Sequence, residues 1–271
     1  MTEPATEYVA ARRTLLDALD ALATHRRSVV LIGAQAVYLH TGSTSMSVPP
    51  MTTDADLALD ADLLSDDPEI AATMLAAGFK PMQPGHWENQ QGIAVDLMVA
   101  PHQSNRTSVT ARAADLNPHA KTVARIGPGL APALSDNSLQ VITALDPSDP
   151  RTHEIRVAGP AALLVAKTIK IDDRLTDASL GNSKRVVDKD ALDILRLLQA
   201  CPMAQLTAGL ARHDAGTAAH ADVVRGLQIL RERATETRHD MPALAERASR
   251  NDPTVAASFV VLVRELLAAM S

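Results

Sequence analysis

The sequence predicts an α+β fold: an α/β-like N-terminal half with a mixed sheet and flanking helices, followed by an all-helical C-terminal bundle. Two observations carry this. Up to about residue 160 short apolar runs alternate with helical ones, whereas residues 201–271 show helical apolar spacing throughout, as in ADVVRGLQILRERA and SFVVLVRELLAAM. The composition, 46% hydrophobic and 21% charged over 271 residues, is an ordinary globular balance able to bury a core.

Taken in order, residues 6–25 form an amphipathic helix with Leu15, Leu16, Leu19 and Leu22 on one side. SVVLIG (28–33) has the continuous, β-branched character of a central strand, and AQAVYLH returns to helix formers. DADLALD (54–60) alternates strictly, DPEIAATMLAAGF (67–79) reads as helix, and IAVDLMV (93–99) as strand. Residues 100–135 are rich in turn formers, and LQVITAL (139–145) and HEIRVAG (153–159) are further strand candidates. A helix then starts at Pro160, a residue suited to a first turn. The expected division is therefore an α/β-like domain over 1–159 and a helical domain over 160–271.

Charge narrows the function classes. The formal net charge is -6, which speaks against indiscriminate nucleic-acid binding. Residues 51–100 alone hold nine acidic side chains against Lys80, so the acidity is local. Aromatic residues are 2% of the chain, too few for a platform that stacks bases. The lone Cys201 has no disulfide partner, the N-terminus is polar and acidic where a signal peptide is basic then apolar, and no run reaches the ~18 apolar residues of a membrane span. A cytoplasmic protein with no membrane partner is expected.

The carboxylates suggest chemistry. Residues two apart on a strand project from one face, so Asp54 and Asp56 stand together, and Asp96 on the later strand is the natural third. Such a set suits Mg²⁺, which takes carboxylate oxygens and keeps positions open for phosphate oxygens. Asp96 lies in an apolar strand, so it must reach solvent, a cationic partner or a metal. The plainer alternative is the wet face of an amphipathic edge strand. Upstream, Gly33 lets the backbone approach a ligand, and the N–H groups of the following helix suit a phosphate; an ordinary strand-to-helix turn is the alternative there.

The order apolar strand, Gly33-Ala34, helix, Asp54-x-Asp56 and Asp96 resembles the nucleotidyltransferase superfamily of the DNA polymerase beta type. PAALLVAKTIKIDDRL followed by KRVVDKDALDILRLL is similar to the AbiEii branch of toxin-antitoxin systems, whose MenT relatives modify tRNA ends. The resemblance covers about residues 28–200. It implies Mg²⁺ on Asp54 and Asp56, phosphates at the Gly33-Ala34 turn, a functional lysine at Lys167 and an acidic residue at Asp190. It also implies a nucleoside triphosphate substrate, a tRNA or other RNA end as acceptor, and a cognate antitoxin. Lys167, Lys170 and Arg174 share one helical face, a stripe of positive charge fit either to neutralise a triphosphate or to be a solvated face. Lys184, Arg185 and Lys189 form a second basic cluster, read evenly as a nucleic-acid or triphosphate contact or as a solubilising loop. Two rivals stay open: the same chemistry on a small, aminoglycoside-like acceptor, and a non-catalytic nucleotide-binding or interaction module.

Overall fold

The computed structural model describes residues 5–42, 51–108, 110–181 and 188–270. The chain is α+β, with a mixed sheet and many helices, and divides into two compact units. The first takes the described residues of Met1–Ala36 and Pro49–Ala158; the second takes those of Val37–Val48 and Gly159–Ser271. Among the described residues no helix is long and apolar enough to cross a membrane.

The first unit is organised around one sheet. Its strands are β1 (Val29–Ile32), β2 (Asp54–Leu59), β3 (Lys80–Gln83), β4 (His86–Glu88), β5 (Ala94–Val99), β6 (Arg125–Ile126), β7 (Asn137–Thr143) and β8 (Thr152–Ala158). They run in the order β3-β4-β5-β2-β1-β8-β7, with β6 also paired to β5. β2 lies antiparallel to β1 and parallel to β5. Helix α1 (Thr6–Ala21) packs on β2 and β5 through a stripe in which Leu15, Leu16 and Leu19 are buried, with Leu22 just beyond it. At ~25 cal/mol per Å² of apolar surface removed from water, each such leucine contributes roughly 1.5–3 kcal/mol.

Strict alternation in DADLALD predicts a half-exposed strand, but β2 is interior. It is flanked on both edges by β1 and β5, and Ala55, Leu57, Ala58 and Leu59 are all fully buried. This removes the edge-strand reading of Asp54 and Asp56. The helix expected over 67–79 is shorter, α3 (Ile70–Ala76), because Glu69 caps it by accepting from the Ala72 N–H.

The second unit contains α5 (Pro160–Ser179), α6 (Lys189–Ala200), α7 (Met203–Ala211), α8 (Ala218–Arg233), α9 (Asp240–Ala248) and α10 (Pro253–Ala269). α5 packs against α6, α7 and α8, while α9 packs against α6 and α10. Pro160 occupies the first turn of α5, as its fixed φ and missing N–H predict. The short helix α4 (Ala131–Ser135) belongs to the first unit, and α2 (Gly33–Thr41) follows directly on β1.

Candidate functional site

Sheet register gathers the acidic residues. Ile32 pairs with Asp56, Asp56 with Asp96, and Asp96 with His86, so one row crosses β1, β2, β5 and β4. Paired residues in a sheet project to the same side, which puts Asp56, Asp96 and His86 on one face, and Asp54 joins them two residues along β2. Asp56 is 9% exposed; Asp54 and Asp96 are half-buried.

Each carboxylate has its own surroundings. Asp54 accepts a hydrogen bond from the Thr52 hydroxyl at 2.6 Å, and its backbone carbonyl accepts from Gln35 Nε2 at 3.0 Å. Gln35, buried in the first turn of α2, takes a hydrogen bond from Arg12 Nε at 2.8 Å and donates to the Ala11 carbonyl, which ties α1, α2 and β2 together at Asp54. Asp56 lies against Gly33. There φ is 69°, and a Cβ would overlap the Asp56 carboxylate, so the residue at the β1-to-α2 junction has to be glycine on two counts. Asp96 meets a cationic partner: Oδ2 accepts from Arg125 at 2.8 Å, and Oδ1 contacts His86 Nδ1 at 2.6 Å. His86 Nε2 lies 3.4 Å from Glu88 on its other side.

Arg125 and His86 carry no sequence signal as site residues. The β3-β4 hairpin that presents His86 was marked only by Pro84-Gly85, a turn-forming pair. Arg125 is placed by long-range packing. Gly85, with φ at 71°, donates its N–H to the Thr122 carbonyl and leaves no room for a Cβ beside the Arg125 backbone. Buried Trp87 donates Nε1–H to the Val123 carbonyl at 3.0 Å.

Mg²⁺ fits the donor set in part. Asp54 and Asp56 supply adjacent hard oxygens on one face, which is what a Mg²⁺ held by one or two carboxylates plus substrate phosphates requires. Among the described residues no three acidic, histidine or cysteine side chains converge in a metal-holding group. Asp96 in particular is directed to Arg125 and His86.

The second unit holds the remaining candidates. Lys167 is 4% exposed, and its Nζ donates to Asp190 and Asp193, each at 2.7 Å. Lys170 (3.3 Å) and Arg174 (2.6 Å) reach the same Asp190. The expected basic stripe is thus a mixed-charge cluster in which cations and carboxylates largely balance. Although burial opposes both charges, the facing carboxylates push the Lys167 pKa up, and the facing cations hold Asp190 well below the usual carboxylate range. Asp193 is the second anchor of Lys167; its Oδ1 is buried without a hydrogen-bond partner. Lys189 opens α6. Lys184 and Arg185 lie outside the described residues.

Compared with known proteins, the chain matches no family model, no curated protein and no solved structure.

Proposed function

We propose that the chain is an Mg²⁺-dependent nucleotidyltransferase that moves a nucleoside monophosphate from a triphosphate to an acceptor hydroxyl, a tRNA or other RNA end, and acts as a toxin neutralised by an antitoxin. One observation supports this most: strands β1, β2 and β5 are neighbours, and their register brings Gly33, Asp54, Asp56 and Asp96 to one end of one face. In this reading Asp54 and Asp56 would hold Mg²⁺, which when bound would supply positive charge against the phosphates of the substrate. The Gly33-Ala34 turn and the first N–H groups of α2 receive the triphosphate, where the helix dipole favours negative charge. Gln35 and Thr52 orient Asp54 from either side.

The acceptor hydroxyl would attack the α-phosphorus and give up its proton to solvent, a new O–P bond would form as the α–β bridge breaks, and pyrophosphate would leave. The test is pyrophosphate release from each triphosphate with total tRNA present. Asp56→Asn is expected to reduce it roughly 10²–10³-fold, the scale of removing several kcal/mol of transition-state charge stabilisation. Undiminished release would remove the carboxylates from the chemistry. Release dependent on a small polyhydroxylated acceptor instead of RNA would favour the aminoglycoside-like reading.

A further inference from the structure

We propose that Arg125 is a built-in counter-cation for Asp96, so that the free protein binds one divalent cation, on Asp54 and Asp56, where three neighbouring carboxylates would otherwise hold two. The inference rests on the metal-binding reading of Asp54 and Asp56. Both oxygens of Asp96 are taken, Oδ2 by Arg125 at 2.8 Å and Oδ1 by His86 at 2.6 Å. The 2.8 Å separation is that of a charge-assisted hydrogen bond between guanidinium and carboxylate. A second divalent ion bridging Asp56 and Asp96 would sit beside a permanently charged guanidinium and would have to displace it.

The guanidinium is also anchored. β6 pairs with β5 at Met98↔Arg125, two positions along β5 from Asp96. Gly85 and Trp87 fix the 122–125 backbone by hydrogen bonds to Thr122 and Val123. Arg125 is thus a positioning residue for Asp96.

The test counts bound Mn²⁺ by electron paramagnetic resonance and calorimetry on the full chain, with thermal unfolding followed by circular dichroism as a check of fold. One Mn²⁺ per chain is expected for the wild type and for Arg125→Lys, and two for Arg125→Gln. The charge-balanced double change Arg125→Gln with Asp96→Asn is expected to return to one site, with affinity within about threefold of wild type. A purely structural role for Arg125 would not move these stoichiometries. Two Mn²⁺ per wild-type chain, or an Arg125→Gln protein that folds and binds one, would overturn the proposal. A loss of tenfold or more in the double variant would make Asp96 a ligand of the first ion and overturn it as well. A wild-type chain that binds no Mn²⁺ would instead defeat the metal reading of Asp54 and Asp56, and this proposal with it.

Discussion

At Gly33 two constraints coincide, a left-handed φ of 69° and contact with the Asp56 carboxylate. Gly33→Ala is therefore expected to cost about 1–3 kcal/mol from backbone strain alone, and to displace Asp56 and weaken triphosphate binding. Denaturant unfolding read beside nucleotide titration checks both, and an alanine variant with wild-type stability and binding would contradict the close packing. Lys167 makes a different demand. Lys167→Met leaves Asp190 and Asp193 buried with their main counter-charge gone, a change expected to cost about 3–5 kcal/mol. Chemical denaturation measures it, and a loss below about 1 kcal/mol would show that Lys170 and Arg174 suffice for Asp190.

Elements built from local signals were legible in the sequence. The leucine stripe of α1, the apolar run of β1, the Pro160 start of α5 and the i, i+2 aspartates of β2 all stand where pattern and turn chemistry put them. The β3-β4 hairpin and β6 were not legible. β3 (KPMQ) contains a proline and is exposed at all four positions, so it has no alternation to read, and β6 is two residues long. Neither β3 nor β6 has a buried face to imprint a period on its sequence, and β4, with buried Trp87, is three residues long. The partners of Asp96 depend on those two elements, so the alternatives open to that carboxylate could be stated from the sequence but not chosen. The charge balance at Lys167 was hidden likewise, since it needs α6 to pack on α5. At helix ends local chemistry is again sufficient: Thr217 caps α8 by accepting from the His220 N–H. Thr217→Ala is expected to cost about 1 kcal/mol, seen as a lowered Tm.

For the whole molecule, the buried charges set a pH range of stability. The Asp190 pKa is held below its ordinary 3.8, so its contribution is present above about that pH and lost as pH falls further. The Lys167 pKa is raised above its ordinary 10.5, so its contribution is present below that pH and lost as pH rises through the folded value. His153 tightens the acid side. Burial pushes its pKa below 6.5, opposed by Asp20, so the unfolded chain takes up a proton there more readily and stability falls as pH drops below about 6.5. Burial raises the Cys201 pKa above its ordinary 9.0, so its contribution starts to be lost above that pH; maximal stability is expected between about pH 6.5 and 9, and His153→Gln should flatten the acid-side slope. Unfolding free energies measured at intervals from pH 4 to 11 test this; stability that is flat or rising from pH 6.5 down to 4 would contradict the assignments.

The proposed activity is itself a property of the assembled sheet, because Gly33, Asp54 and Asp56 meet only through strand pairing. The direct measurement is to incubate the purified chain with Mg²⁺ and each α-labelled triphosphate, with and without total tRNA, beside the Asp54→Ala, Asp56→Ala double variant. Label that moves to tRNA with the wild-type chain and not with the variant is the expected result and names the base transferred. No transfer to any acceptor, together with no binding of triphosphate, would contradict the transferase account and leave a non-catalytic interaction module in its place.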